Sequence, residues 1–223
     1  MSKKPYGVLI VHGFTSSLDC VNGLEPPIQA LGLPTRMPVL RGHCAESPEA
    51  LCGVTWHEWV ADAEAALEDL LTEAERAIVF GHSMGGLVTH DLLAGHDLRA
   101  IGIEPILHVS LASPWSGFES AGRALRYPTK RLPVWHDVAS GSPFINRILS
   151  SRIPAATGHY LFYGTRDSVA AGRALDERAY RSEKNRWYHQ MVGSAVRFVP
   201  DFRNAVVDHD MFTPTTIRHY TRR

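Results

Sequence analysis

One serine in this chain stands where a nucleophile would stand. Residues 76–89 read RAIVFGHSMGGLVT: an apolar run enters Gly81-His82-Ser83-Met84-Gly85-Gly86, and a second apolar run follows at once. Gly-x-Ser-x-Gly alone is a weak signal, so its surroundings must decide. Here the residues before it are short and β-branched, as in a buried parallel strand. Those after it place Leu87, Val88, Leu92 and Leu93 at helical spacing. A strand that turns sharply into a helix carries the serine at its apex and crowds the residues on either side. Gly81 and Gly85 remove the side chains that would collide there. The competing reading is a glycine-rich turn with a capping serine.

A serine hydroxyl is a poor nucleophile at neutral pH. It needs a base, and the base needs an orienting carboxylate. On a parallel sheet of this kind the partners follow the serine in the order acid, then histidine, each just past a strand end. The acid candidate is Asp167, in HYLFYGTRDSVA, three residues after Gly164. Its rivals are Asp137, with no strand before it, and Asp201, on the wrong strand; a turn-capping aspartate is the bland alternative. The base candidate is His209, after the last strand candidate and before a short helix. His189 sits on a charged helix, His219 lies beyond the expected loop, and His82 is too close to the serine on a tight turn. His82 reads as a structural histidine under the turn. Asp208 and Asp210 flank His209, and a sequence neighbour rarely reaches the ring nitrogen. An oxyanion hole completes the set. One donor is the N–H of Met84, directly after the nucleophile. The other is the N–H of Phe14, in the loop VLIVHGFTSS after the first strand. Each such donor contributes roughly 10²–10³ in rate.

The elements that position these residues alternate. Strand candidates are Tyr6–Val11, Thr35–Leu40, Ala77–Phe80, Ile106–Leu111, Tyr160–Tyr163 and Ala195–Val199. Helix candidates are Gly23–Leu31, Thr55–Leu71, Met84–Ala94, Ala171–Gln190 and Thr213–Tyr220. In 55–71, Thr55 and Glu58 form a capping pair, and Trp56, Trp59, Val60, Ala63 and Leu67 share a stripe. This order implies an α/β class: a parallel sheet with helices on both faces and a site beyond the carboxyl ends of the strands. The exception is a stretch from about Ser113 to Thr157, with Pro114, Pro128, Pro133, Pro143 and Pro154 and scattered aromatics. It is too long for a plain loop and suggests a lid or binding insertion. Its Trp115, Phe118 and Trp135 are candidate substrate-binding residues.

Composition narrows the class. At 223 residues the chain suits one domain with a sizeable core. Lys plus Arg (23) equals Asp plus Glu (23), which argues against a general nucleic-acid binder. No apolar stretch reaches the roughly 18 residues of a membrane helix. The opening MSKKPYGVLIVHG has too short an apolar part for a signal peptide. Three cysteines, Cys20, Cys44 and Cys52, suggest a reducing, cytoplasmic setting without a disulfide framework, with a Cys44–Cys52 pair left open. No Cys/His spacing suggests a metal site.

The segments VHGFTSS, LRGHCAESPE, TWHEWVADAEAAL, VFGHSMGG and YGTRDSVA resemble the serine esterases and monoacylglycerol lipases of the α/β-hydrolase superfamily. HDVASGSPFINRI followed by YLFYGTRDSVA is similar to bacterial triacylglycerol lipases. The resemblance covers the first ~110 residues and returns around Asp167 and His209. It implies a single α/β-hydrolase domain over 1–223, with about six mostly parallel strands flanked by helices and a small lid at 114–157. It implies Ser83, Asp167 and His209 as triad and Phe14 and Met84 as oxyanion donors. The implied activity is that of a carboxylesterase or lipase acting through an acyl-enzyme on carboxylic esters, monoacylglycerols among them; a chain of 223 residues leaves only a small lid, so short to medium acyl chains are expected. No cofactor or metal is implied. The expected partner is a small-molecule ester, with no nucleic acid and no stable membrane insertion, and the chain is expected to be a monomer or small homo-oligomer. The same triad serves thioesterases, C–C hydrolases and perhydrolases, and the fold also serves non-catalytic ligand receptors. Two departures stand out. RGHC replaces the common R-G-H-G, so Cys44 adds bulk near the mouth, and the usual antiparallel edge strands are expected to be missing.

Overall fold

A computed structural model of the protein describes residues 2–14, 17–95, 105–115, 117–118, 121–122, 133–154, 157–162 and 196–198. The described strands are β1 (Lys4–Val11), β2 (Thr35–Arg36), β3 (Ala74–His82), β4 (Pro105–Leu111), β5 (Gly158–Phe162) and β6 (Val196–Phe198). They form one sheet in the order β2-β1-β3-β4-β5-β6. Every neighbouring pair is parallel. The described helices are α1 (Glu25–Gln29), α2 (Trp56–Glu73), α3 (Met84–Gly95), α4 (Pro133–Val138) and α5 (Pro143–Ser150). From β1 the chain steps outward to β2, then returns across β1 to β3 and proceeds the other way. The direction of winding therefore changes between β1 and β3, where such sheets hold their ligands at the carboxyl edge.

The central strands are buried on both faces. Val8 to Val11 of β1 are 0–2 % exposed, and Ala77 and Val79 of β3 are fully buried. The long helix α2 starts one residue later than its cap, with the Thr55 N–H donating to the Glu58 carboxylate at 2.9 Å. Its Trp59, Val60, Ala63, Leu67 and Leu70 are buried. Burying a side chain of this size contributes roughly 1.5–3 kcal/mol, so packing of this stripe outweighs any intrinsic propensity of the helix.

Several expected elements differ in extent, β2 and β3 among them. The strand expected over Thr35–Leu40 pairs only at Thr35 and Arg36. Pro38 has no N–H to offer a ladder, and the chain swings off the edge until the Leu40 N–H meets the His12 ring. Arg36 is held instead by Asp69 and Glu73 of α2. β3 begins earlier than expected, at Ala74, immediately after α2. Ala74 is 1 % exposed. Its methyl group faces Gly7 on β1 so closely that a Cβ added at Gly7 would lie 2.8 Å away. The helices expected over Ala171–Gln190 and Thr213–Tyr220 lie outside the described residues.

The expected insertion is described in part. Two of its prolines, Pro133 and Pro143, stand at the start of two short helices, α4 and α5, where a missing N–H costs nothing. Both are bound to the body. Asp137 accepts the Trp56 N–H at the start of α2, 3.2 Å away. The Arg147 Nε–H donates to Asp91 of α3 at 2.6 Å, and its guanidinium lies 5.4 Å over the Trp56 ring. Phe144 stacks on Trp56 at 4.8 Å. The part of the insertion over 133–154 is therefore packed against α2 and α3.

Cys44 and Cys52 are exposed, and neither is in a disulfide. Cys44 has φ 55, in the left-handed region. What glycine supplies at this position in R-G-H-G is thus backbone freedom. A side chain held there costs roughly 1–2 kcal/mol, partly offset by the entropy glycine loses on folding. Cys44→Gly is expected to stabilise the protein by about 0.5–1 kcal/mol, raising Tm by roughly 1–4 °C. Calorimetry checks it; a lower Tm would show that the thiol makes contacts worth more than the strain.

Candidate active site

The carboxyl ends of β1 and β3 come together at Ser83. The residue follows β3 directly and precedes the first turn of α3. Its φ is 53, a conformation most side chains avoid. Strain of this kind, of order 1–3 kcal/mol, persists where the surroundings over-determine it, and it clusters at functional sites. The surroundings here are tight. The Ser83 N–H donates to the Leu111 carbonyl of β4 at 2.7 Å, and the Ser83 carbonyl accepts from Gly86 at 3.1 Å. A Cβ at Gly85 would lie 2.3 Å from the Val11 carbonyl oxygen, so only glycine lets α3 start against the end of β1. The serine is 2 % exposed.

The loop after β1 meets the serine directly. A Cβ at Gly13 would lie 2.7 Å from Ser83 Cβ and 3.3 Å from its Oγ, so this glycine leaves the backbone of the turn against the nucleophile. Phe14 follows it, and Met84, fully buried, follows Ser83. The two backbone positions expected to form an oxyanion hole thus each stand one residue after a member of this contact, Phe14 after Gly13 and Met84 after Ser83. Phe14 belongs to an aromatic group in which His43 meets it at 6.0 Å, Trp59 meets it at 6.2 Å and His43 meets Trp59 at 5.4 Å.

The other expected site residues are placed as follows. Phe118 is buried in the apolar cluster that includes Met84, and Phe14 and Trp135 pack against that cluster. Trp115 is buried in a separate cluster with Leu87, Phe144, Ile145 and Ile148. Asp137, considered as an acid, is occupied at the start of α2; burial raises its carboxyl above the usual range. His82 is buried beside the turn. Asp167 and His209 lie outside the described residues.

A sequence profile of the alpha/beta hydrolase family matches residues 8–222. The chain belongs to the alpha/beta hydrolase family. It is 34 % identical over 124 residues, 55 % of its length, to the thermostable monoacylglycerol lipase of Bacillus sp. (strain H-257). The match spans about half of that relative, 49 % of its length. Among solved structures, a lipolytic enzyme from the metagenome-derived LipS and LipT pair superimposes with TM-score 0.69 at 15 % identity, covering 99 % of this chain and 94 % of that one. The Pyrococcus furiosus esterase PF2001 superimposes with TM-score 0.61 at 17 % identity, covering 99 % and 79 %. Est1E of Butyrivibrio proteoclasticus, solved with ferulic acid, does so with TM-score 0.59 at 17 % identity, covering 99 % and 89 %. At these identities the likeness is one of fold. Among the described residues of this alpha/beta hydrolase, no helix is long and apolar enough to cross a membrane.

Sequence reasoning placed His12 only in the turn after the first strand, and it missed the other histidines packed into this hydrolase. His12 closes β1, fully buried, with Leu40 N–H donating to its Nε2 at 3.0 Å. His90 of α3, His108 of β4 and His159 of β5 pack ring to ring, with His108 and His159 4.4 Å apart and His90 5.4 Å from Trp115. His108 Nε2 lies 2.8 Å from the Thr89 hydroxyl, which in turn donates to the Gly85 carbonyl in the first turn of α3. His90 Nε2 lies 3.2 Å from the Ser151 hydroxyl, just beyond α5. Their one signal in the sequence is that His108 stands between Ile106-Leu107 and Val109, inside a strand candidate.

Burial disfavours the charged form of all four rings. It lowers His12 and His90 to about 4, the former against a raising bond to Gly13, and it holds His108 and His159 well below 6.5. In the unfolded chain each takes up its proton near pH 6.5. Below that pH the unfolded state binds more protons than the folded one, so stability falls as pH falls. The window opens near 6.5 and extends to about 4 for His12 and His90. Each ring contributes a slope of up to about 1.4 kcal/mol per pH unit. Tm is expected to drop steeply from pH 6.5 to 5 in a calorimetric series. A flat Tm across that range would show that these rings are protonated in the fold.

Proposed function

We propose that this chain hydrolyses carboxylic esters through an acyl-enzyme on Ser83, acting on short to medium acyl chains and on monoacylglycerols. One observation carries this reading: Ser83 stands at a left-handed turn between β3 and α3 with the Gly13 backbone against its hydroxyl. The roles are read from the order of the chain and from the family resemblance. Ser83 attacks the ester carbonyl. His209 takes the hydroxyl proton and passes it to the leaving alcohol. Asp167 orients the imidazole and stabilises its charged form. The N–H groups of Phe14 and Met84 receive the developing oxyanion. Water then repeats the sequence on the acyl-enzyme.

The order of the chain supports these assignments. Asp167 follows β5 and His209 follows β6, and both strands run parallel to β3. The likeness to a monoacylglycerol lipase over 124 residues supports the substrate class. The substrate is then a small ester taken from the cytoplasm by a monomer or small homo-oligomer. Turnover of p-nitrophenyl esters of increasing chain length, with acyl-CoA alongside, tests the reading. Faster turnover of acyl-CoA than of any oxygen ester would overturn it.

The acyl chain is expected to lie against the aromatics of the insertion. Trp115 and Phe118 are 2 % and 7 % exposed, whereas Trp135 is only partly buried against the cluster around Met84. Trp135 is therefore the residue to test. Each methylene buried contributes up to about 0.8 kcal/mol, or roughly fourfold in kcat/KM. The specificity constant is expected to rise from acetate to butyrate, and Trp135→Ala is expected to flatten that rise while sparing acetate. If the substitution scales all chain lengths equally, the acyl group lies elsewhere.

A further inference from the structure

His12 is held at both ring nitrogens. Leu40 N–H points at Nε2 from 3.0 Å, and Nδ1 lies 2.9 Å from the carbonyl oxygen of Gly13. A backbone N–H can only donate, so Nε2 carries no proton. A carbonyl oxygen can only accept, so Nδ1 carries one. The ring is the neutral Nδ1–H tautomer, and complete burial favours that neutral form.

The oxygen that Nδ1–H holds belongs to the peptide joining Gly13 to Phe14. That peptide is trans, so its C=O and its N–H lie in one plane and point in opposite directions. A grip on the oxygen therefore sets the direction of the Phe14 N–H. Gly13 brings no side chain to restrain this peptide, and it stands against Ser83. The same ring couples the turn to the segment after β2: His43 meets His12 at 4.9 Å and packs on Phe14.

We propose that His12 is a positioning residue whose Nδ1–H, fixed in that tautomer by Leu40 N–H, aims the Phe14 N–H at the oxyanion. The proposal rests on the esterase reading above and adds a residue that does not touch the substrate. Its test uses two partial mimics. Asn at position 12 keeps a donor near the place of Nδ1–H. Gln keeps an acceptor near the place of Nε2 and loses the donor. His12→Gln is expected to lower kcat about 10²-fold with KM changed less than about threefold, because an oxyanion donor acts in the transition state. His12→Asn is expected to recover at least about tenfold of that loss. The affinity of an alkyl trifluoromethyl ketone, which forms an oxyanion on Ser83, is expected to fall in parallel with kcat/KM. Nitrogen-15 NMR of the wild-type histidines reads the tautomer without any variant and is expected to show the proton on Nδ1.

A proton on Nε2, wild-type kcat in His12→Gln, or equal loss in both variants at native Tm would overturn the role of His12. A wild type without Ser83-dependent turnover would overturn the esterase reading itself, and this proposal with it.

Discussion

Ser83→Ala is expected to lower kcat for p-nitrophenyl butyrate by about 10⁶-fold, the loss typical when a serine nucleophile is removed from its triad. The fold is expected to survive. Alanine differs from serine by one oxygen and meets the same left-handed turn at φ 53, so the backbone strain is unchanged. The Ser83 N–H keeps its bond to Leu111. Tm should therefore shift by less than about 3 °C, within the range of roughly 1 kcal/mol for a chain of this size. A fluorophosphonate should label the wild type at Ser83 and leave the variant unlabelled. Activity retained in the variant, or label on another serine, would remove Ser83 from the mechanism.

Asp167→Asn is expected to cost about 10⁴-fold in kcat, because an amide favours the wrong imidazole tautomer in the base that serves the serine. The rival acids are separated from it by what they do. Asp137 caps the start of α2 through the Trp56 N–H, so Asp137→Asn should cost no more than about 1 kcal/mol of stability and leave kcat within a few-fold of wild type. Asp208→Asn, beside His209 in the chain, should change kcat less than about tenfold. Kinetics and calorimetry on the three variants decide the matter. If Asp208→Asn costs more than Asp167→Asn, the orienting carboxylate has been misassigned. If Asp137→Asn abolishes turnover at native Tm, the acid comes from the insertion.

Much of this hydrolase was legible in its sequence because the signals are local. The alternation of strands and helices follows from periodicity, and α2 follows from a capping pair three residues apart and a stripe at helical spacing. The turn at Ser83 is signalled by glycines two residues on either side. Each of these is fixed by the sterics of neighbouring residues, whatever the rest of the chain does. The tertiary structure decided what depends on contacts between distant residues. The expected strand after Thr35 stops at Arg36, and Leu40 N–H goes to His12, 28 residues away. Asp137 and Trp56 are 81 residues apart, and Arg147 and Asp91 are 56 apart; their bonds fix α4 and α5 against the body. No periodicity records such pairs, since a lone Asp or Arg has the same type whether it faces water or a partner. The histidines where α3 meets β4 and β5 show the same limit. An apolar run with one histidine in it predicts burial, but which ring that histidine meets is set only when β4, β5 and α3 pack together. The sequence by itself determined where the backbone must turn; packing decided which polar groups that turn brings into contact.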